Sequence, residues 1–292
     1  MDTQKTLLDN REMVTCERLI SLFDAAQLVA VKTKQKKQKT REFYANQLKK
    51  LSRIAGDISA SELRPGHLVE VEFTSHFVRA VKTMIRWAVE EEIIVKNHFK
   101  KLKTPPTGRR ERVMSATEQT KLMRAASPAL RRLMWFALRT ACRPGELRAM
   151  RWSEVDWQNQ VVRLVDFKAK DKRKDGVAVR IVPLPNLVFA ALKVWHRKAG
   201  DNTHVFVMQR VNKPWTPNGL RCAFRAAREK AGLATDEGEQ LVMYSCRHTR
   251  ATELTLNNVR DSLLADILGH TNTAMTRRYL HRAPSDLVKA VQ

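Results

Sequence analysis

Apolar residues recur every three or four positions through the first hundred residues, which is the period of a helix with one buried face. Three such faces are visible, formed by Leu19, Leu22, Phe23 and Ala26, by Phe43, Tyr44, Leu48 and Leu51, and by Phe73, Phe77, Val81, Met84 and Ala88. Glycine is rare in this part and hairpin signals are absent. We therefore predict a small helical bundle over residues 15–103, preceded by an extension at residues 1–14.

The helical pattern breaks at residues 104–112, where two prolines stop a helix and a glycine adds freedom. We interpret this stretch as the linker to a second domain that covers residues 113–292. Directly after it, Ser115 and Glu118 have the spacing of a capping box and predict the start of a helix. A further helix is predicted over residues 127–140.

The pattern changes again after Trp157. Residues 161–167 are rich in β-branched side chains, residues 177–182 alternate between apolar and polar, and the stretch between them is polar and basic. Two strands joined by a long basic hairpin loop are predicted, followed by helices at 186–198, 217–231, 244–256 and 260–268. The predicted fold class is mainly α with a small antiparallel β-sheet (α+β) in the second domain.

The charge balance points to a polyanionic partner, because 54 Lys and Arg against 30 Asp and Glu leave a net charge of +24. Such a surplus draws its binding energy from counterion release, so double-stranded DNA is the expected partner. An anionic membrane is the competing interpretation. No apolar run approaches the ~20 residues of a spanning helix, and no amino-terminal signal pattern is visible. We expect no membrane association and a cytoplasmic, nucleoid-associated protein.

The four cysteines are scattered and have no metal-ligand or paired spacing. We expect them to be reduced and structural. The chain also lacks a GxxxxGK loop and clustered carboxylates. No cofactor and no metal are therefore expected.

Basic residues cluster between the first two predicted helices and in the linker. The first cluster consists of Lys32, Lys34, Lys36, Lys37, Lys39 and Arg41, and the linker contributes Arg109 and Arg110. A run of this kind is either a solvated loop or a set of phosphate contacts, and the sequence leaves both open.

Four separated segments carry groups suited to phosphoryl transfer. Arg143 lies in a turn before a new helix, where Glu146 could orient its planar fork. Arg247 lies near the start of a helix, whose dipole favours an anion. The remaining segments are the basic hairpin and the stretch that contains His270 and Tyr279. Each of these residues alone is more often structural than functional.

In their order and spacing these segments resemble the tyrosine recombinase (phage integrase) family of site-specific DNA recombinases. The resemblance spans about residues 15–285 and is most specific in three motifs. These are residues 140–147 (TACRPGEL), residues 247–252 (RHTRAT), and Leu268, Gly269 and His270 followed nine positions later by Tyr279. It implies a helical core-binding domain, a short linker and a catalytic domain. It also implies that Arg143 and Arg247 grip the scissile phosphate, that His270 hydrogen-bonds to it, and that Tyr279 is the nucleophile.

The resemblance also implies a general-acid lysine on the hairpin. Counting from Val162 leads to Lys168, whereas counting back from Pro183 leads to Asp175, and an insertion in the loop reconciles the two counts. Lys168 is the favoured general acid, and Lys170 is the second choice and otherwise a DNA contact.

One position departs from the family pattern. Tyr244 stands three residues before Arg247, where the family usually has histidine. A tyrosine hydroxyl can donate or accept a hydrogen bond, but it cannot become an imidazolium near neutral pH. Either its hydroxyl and ring hold the phosphate network, or the protein is slower than its relatives.

The implied activity is strand cleavage and rejoining through a 3′-phosphotyrosyl intermediate, without metal or ATP. The rivals are a non-catalytic DNA-binding regulator on the same fold and a type IB topoisomerase-like resolvase. The resemblance further implies a homotetramer on DNA and possible accessory DNA-bending proteins, and we expect no additional arm-binding domain. The tail at residues 280–292 is expected to pack on its own domain or on a neighbouring subunit, with both options open.

Overall fold

The computed structural model of the protein describes residues 14–106, 112–164, 179–208, 211–233 and 240–270. The chain divides into two compact units, Met1–Gly108 and Arg109–Gln292. Each unit has its own buried apolar core.

The first unit is a helical bundle, as predicted. Its helices are α1 (Cys16–Lys32), α2 (Gln38–Ala55) and α3 (Ser75–Glu90), with a 3₁₀ turn at Pro65–Leu68. The hydroxyls of Thr15 and Thr74 accept hydrogen bonds from backbone amides in the first turns of α1 and α3, which fixes where these helices begin. Phe23 is buried and packs against the rings of Tyr44 and Trp87 at centroid distances of 5.5 and 5.3 Å.

The basic run in this unit differs in part from the expected inter-helix loop. Lys32 ends α1, and Lys39 and Arg41 lie inside α2. Lysine, arginine and glutamine have good helix propensity and the run contains neither glycine nor proline, so α2 begins earlier than expected. Arg41 forms an ion pair with Asp24 of α1 at 2.6 Å, which holds the start of α2 against α1.

The second unit contains seven helices among its described residues. They are α4 (Ala116–Ala125), α5 (Pro128–Thr140), α6 (Pro144–Ala149), α7 (Asn186–Arg197), α8 (Pro217–Lys230), α9 (Met243–Leu256) and α10 (Asp261–Leu268). The predicted capping box is present, because Ser115 Oγ accepts from the Glu118 amide and Glu118 Oε2 accepts from the Ser115 amide.

A small antiparallel sheet accompanies these helices, as predicted. Strands β1 (Val155–Asp156), β2 (Val161–Leu164) and β3 (Arg180–Pro183) pair in that order. Strand β1 and a second pair, β4 (Val207–Met208) and β5 (Lys213–Pro214), were not predicted because each of these strands has only two residues. The hairpin segment 165–178, including the predicted end of the first strand, lies outside the described residues. The fold class, mainly α with a small antiparallel sheet, is confirmed.

Helix α9 is the central element of the second unit and packs against α5, α8 and α10. Seven of its residues, including Cys246 and Arg247, are buried. The amide of Met114 donates to Thr249 Oγ1 at 2.9 Å, so the start of the unit is bonded to this helix. Because α9 carries Arg247 in its buried part, the core of the unit fixes the position of that side chain.

Candidate active site

Arg143 is held by the turn that connects α5 to α6. Helix α5 ends at Ala141 in the left-handed conformation with φ 54°, and Arg143 is the residue that caps α6, with Pro144 in its first turn. Glu146 bonds back to Arg143 twice, since Oε2 accepts from the Arg143 amide and Oε1 accepts from Nη1, both at 2.7 Å. Glu146 therefore orients the guanidinium of Arg143, as expected from their spacing.

Arg247 is fully buried, with 0% of its surface exposed. Its Nη1 donates to the carbonyl of Ala141 at 2.7 Å, and its Nη2 donates to the carbonyl of Leu268 at 2.6 Å and lies 3.1 Å from Nε2 of His270. Burial, with repulsion from neighbouring arginines, lowers the pKa of Arg247 to about 10. The guanidinium is therefore still charged at neutral pH.

His270 directly follows the end of α10. This helix ends at Gly269, which is left-handed with φ 61°, and the His270 amide donates back to the carbonyl of Ala265 at 2.9 Å. Arg143 Nη2 donates to the carbonyl of Gly269 at 3.0 Å. The structure thus brings Arg143, Arg247 and His270 together at the carboxyl end of α10.

A third buried arginine, Arg180, was missed by the sequence analysis. It is 1% exposed and lies on β3, where Nη1 forms an ion pair with Glu146 Oε2 and Nη2 donates to the carbonyl of Ile267 at 2.5 Å. Arg180 and Val182 share the buried face of β3. An arginine in phase with a core valine requires a buried anionic or carbonyl partner, and this alternation is the signal that could have identified it.

The site carries an excess of positive charge. The arginines at positions 143, 180 and 247 contribute three charges against one from Glu146, so these four residues have a net charge of +2. Burial alone would raise the pKa of Glu146, but the three arginines outweigh burial and the pKa is lowered. A buried site with a surplus of cations and fixed N–H donors favours an anion.

Arg247 retains one unused donor in the described part of the chain. Its Nε is buried and makes no hydrogen bond to any described residue. Buried polar groups are normally hydrogen-bonded. Arg180 Nε is also buried without a hydrogen bond to a described residue, so both guanidinium groups have an Nε–H that is not used within the described residues.

Tyr244 stands at the edge of this cluster and is 37% exposed. Its ring centroid lies 6.0 Å from the Arg247 guanidinium carbon and 4.9 Å from the ring of His248. Tyr244 also lines a pocket of about 520 Å³ together with Gly145 and Arg148. The tyrosine therefore packs on the arginine by its ring and leaves part of its surface open.

The remaining predicted residues are either outside the described part of the chain or in the first unit. Those outside the described residues are Lys168, Lys170, Tyr279, Arg109 and Arg110. The basic residues of the first unit at positions 32, 34, 36, 37 and 39 are exposed. Lys36 Nζ donates to the buried Gln27 at 2.8 Å, whereas Arg41 is partly buried by its ion pair with Asp24.

The described residues contain neither a metal-site arrangement nor a membrane-spanning helix. No group of three or more His, Cys, Asp or Glu side chains there has the arrangement of a metal site. In the same part of the chain, no helix combines the length and apolarity needed to cross a membrane.

Known proteins match both the sequence and the fold. The chain is 26% identical to the integrase of Salmonella phage P22 over 222 residues, covering 72% of this chain and 54% of that protein. It is 26% identical to a tyrosine recombinase XerC-like protein of Caldanaerobacter subterraneus subsp. tengcongensis over 253 residues, covering 73% of this chain and 63% of that protein. The chain thus spans between half and two thirds of the length of these relatives.

Among solved structures, a lambda integrase tetramer bound to a Holliday junction superimposes with a TM-score of 0.74 at 18% identity, covering 94% of this chain and 82% of that one. At this identity the likeness shows a shared fold. The profile of the phage integrase family matches residues 111–286, which is more than half of the chain and includes every residue of the arginine cluster. The chain belongs to the phage integrase family.

Proposed function

We propose that the protein is a site-specific DNA recombinase that cleaves DNA with Tyr279 and rejoins it through a 3′-phosphotyrosyl intermediate. The observation that carries this proposal is the convergence of Arg143, Arg247 and His270 at one buried, positively charged helix end. A phosphodiester is an anion that offers two non-bridging oxygens to such donors. Membership of the phage integrase family supports the same chemistry.

In the proposed mechanism the cationic side chains bind the phosphate oxygens, and the Tyr279 oxygen attacks phosphorus. Arg143, Arg247 and His270 donate to the non-bridging oxygens and stabilise the pentacoordinate transition state as preorganised donors. The Tyr279 hydroxyl releases its proton to solvent water, and its oxygen forms a bond to phosphorus while the bond from phosphorus to the 5′ oxygen breaks. Lys168 protonates the departing 5′ oxygen, with Lys170 as the second candidate.

The covalent intermediate accounts for the energy balance of strand exchange. One phosphate ester replaces another, so the bond energy of the phosphodiester is kept in the enzyme–DNA link. A 5′ hydroxyl from a different strand reverses the step by attacking phosphorus, and Tyr279 leaves. Neither ATP nor a metal ion is required by this sequence of steps.

Tyr244 has a supporting role in this mechanism. Its ring lies against the Arg247 guanidinium, and its hydroxyl offers a donor at the open side of the site. Because a phenol does not provide the positive charge of an imidazolium, Tyr244 stabilises the transition state less than a protonated histidine would. We therefore expect slow cleavage compared with relatives that have histidine at this position.

The proposed partners are double-stranded DNA and further copies of this chain. The net charge of +24 supports DNA binding, and the solved lambda integrase tetramer on a Holliday junction supports a tetramer on DNA. The exposed lysines of the first unit, together with Arg109, Arg110 and Lys170, are proposed to contact phosphates. Accessory DNA-bending proteins are an additional proposed partner. The site of action is the cytoplasm, on the nucleoid.

A covalent trapping experiment tests the proposal. The chain has three tyrosines, at positions 44, 244 and 279, so each can be replaced by phenylalanine in turn. Duplexes from the DNA flanking the gene, nicked near the centre of each inverted repeat, are incubated with the protein and resolved on a denaturing gel. The wild type and Tyr44→Phe form a protein–DNA adduct, Tyr244→Phe forms it more slowly, and Tyr279→Phe binds the duplex but forms none.

Two outcomes would contradict the proposal. An adduct with Tyr279→Phe would refute the nucleophile, and mapping the linked peptide would identify the reacting residue. Binding by the wild type without any adduct would favour the non-catalytic regulator, in which the arginines only contact backbone phosphates.

A further inference from the structure

We propose that Arg180 is a positioning residue that holds the two sides of the phosphate site in one geometry. It fixes Glu146, which orients Arg143, and it fixes the end of α10, which carries His270. The inference rests on the proposed function, because its consequence is read out in strand cleavage.

The contacts of Arg180 join two segments that are distant in the chain. Nη1 is ion-paired with Glu146 Oε2, and Nη2 donates to the carbonyl of Ile267 at 2.5 Å. Glu146 is 34 positions away and Ile267 is 87 positions away. Since the guanidinium is planar and rigid, it sets the separation between the carboxylate and the helix end.

The turn before His270 is packed directly on the Arg180 side chain. A Cβ atom at Gly269 would lie 2.5 Å from Arg180 Cδ and 2.7 Å from Nε, and Gly269 also has a positive φ of 61°. Glycine is therefore required at this position by both the backbone conformation and the approach of the arginine. Any shift of the Arg180 side chain is transmitted to the residue that precedes His270.

Three successive carbonyls at the end of α10 are each bound by a different arginine. Arg180 binds the carbonyl of Ile267, Arg247 binds that of Leu268, and Arg143 binds that of Gly269. Arg180 and Arg247 each direct both Nη groups at protein acceptors, and each has a buried Nε without a hydrogen bond to a described residue. Of the two, only Arg180 is ion-paired with Glu146 and packed on Gly269, whereas Arg247 Nη2 lies 3.1 Å from His270. The ion pair with Glu146 and the packing on Gly269 assign alignment of the site to Arg180. Phosphate contact is assigned to Arg143, which is partly exposed, and to Arg247, which adjoins His270.

Because Arg180 lies on β3, its substitution could slow cleavage in a second way. The experiment must distinguish this effect from misalignment of Arg143 and His270. Arg180 pairs in register with Leu164, four residues before Lys168. A substitution could therefore act through the proposed general acid on the hairpin instead of through Arg143 and His270.

The test uses the full chain with Arg180→Lys and Arg180→Met, and Arg163→Met as the matched control. Arg163 lies on the neighbouring strand opposite Ile181 and forms an ion pair with Asp156, but it is 53% exposed. Lysine keeps the charge but cannot bond to Glu146 and Ile267 together. Single-turnover cleavage of the nicked duplex is measured beside the duplex dissociation constant.

Both Arg180 variants should bind DNA as the wild type does and cleave it about 100-fold more slowly, the loss expected for a misplacement of ~1 Å. The control should cleave within roughly twofold of the wild-type rate. If Arg180 acts through Glu146, the loss in the Arg180→Lys, Glu146→Gln double variant is smaller than the product of the two single losses.

A substrate with a bridging 5′ phosphorothiolate separates the two routes. Its sulfur leaves without protonation. The substrate therefore restores the cleavage rate of variants that lack the general acid, but not that of variants with a misaligned phosphate site. If Arg180 positions Arg143 and His270, both Arg180 variants should still cleave this substrate slowly. Restoration to the wild-type rate would overturn the inference in favour of the lysine route.

The remaining outcomes are also decisive. Cleavage by Arg180→Lys at the wild-type rate would overturn the inference while leaving the proposed function intact, because the adduct still forms. If Arg180→Met does not fold, Arg180→Lys carries the test alone. Failure of the wild type itself to form an adduct would refute the proposed function instead.

Discussion

Replacing Glu146 by glutamine tests the electrostatic balance of the site with almost no change in shape. Both carboxylate oxygens accept hydrogen bonds, Oε1 from Arg143 Nη1 and Oε2 from the Arg143 amide and from Arg180. Glutamine has one acceptor oxygen, so either orientation of the amide directs its NH₂ group at a donor. The substitution also leaves three buried or half-buried guanidinium groups without a counter-charge.

The expected loss follows from the burial of this ion pair. The Glu146 side chain is 3% exposed, and removing one partner of a buried pair costs ~3–5 kcal/mol. For a domain of ~150–250 residues each kcal/mol corresponds to ~2–4 °C, so the second unit should melt roughly 6–20 °C lower. Urea unfolding followed by tryptophan fluorescence measures the loss, because five of the six tryptophans lie in this unit.

A matched control separates the effect of burial from the effect of the capping arrangement itself. Arg151 and Glu154 form the same capping arrangement as Arg143 and Glu146, with the Arg151 amide donating to Glu154 Oε2 at 2.8 Å, but this hydrogen bond is exposed. Glutamine also serves in a capping box, so Glu154→Gln should cost less than ~0.5 kcal/mol.

The pH dependence gives an independent check. The folded-state pKa of Glu146 is lowered from its ordinary value of 4.5, so the ionised carboxylate stabilises the fold above that value. The stability difference between wild type and Glu146→Gln should therefore be complete at pH 7. This stability difference should disappear as the pH falls below 4.5 and through the lowered pKa of Glu146. A difference below ~1 kcal/mol at pH 7 would refute the reasoning, since it lies under the range for a buried pair.

Three other side chains give separate tests of the structure and of DNA binding. Cys222→Ser should remove the fast phase of labelling by a thiol reagent, because the other three cysteines are buried. Burial also raises the pKa of Cys16 and Cys246 to about 12, so their thiols react slowly. A fast phase that remains in the variant would contradict this prediction. Thr249→Val should lower the urea-measured free energy of unfolding by ~1–3 kcal/mol, because the Met114 amide loses its acceptor; an unchanged value contradicts this. Lys39→Ala should reduce the salt slope of DNA binding, measured by anisotropy, by ~0.9; an unchanged slope contradicts phosphate contact.

Helix positions in the second unit could be predicted because their signals are local. Ser127 accepts from the Leu130 amide and Pro128 occupies the first turn, so α5 begins where the sequence indicates. The same holds for the capping box at Ser115. The two-residue strands β1, β4 and β5 carry too few residues for a periodic pattern to be visible.

The site was only partly predictable because its contacts are long-range. Arg247 bonds to Ala141 across 106 positions, and Arg143 bonds to Gly269 across 126 positions. The family resemblance identified these residues and His270, whereas the periodic pattern alone could not pair them. Arg180 was overlooked since it follows a stretch rich in basic residues, although its alternation with Val182 was visible in the sequence. Its partners Glu146 and Ile267 become apparent only in the fold.

The helix end that binds three guanidinium groups rests on a small apolar cluster. Leu264 and Leu268 of α10 are buried against Ala141 and Ala251, and Ala141 itself supplies a carbonyl to Arg247. Truncation of either leucine would let α10 shift by a fraction of an ångström, and the arginines bound to its carbonyls would shift with it. Screens for inactive variants should therefore recover aliphatic substitutions in this last described helix alongside the arginine ones, although no charge has been altered.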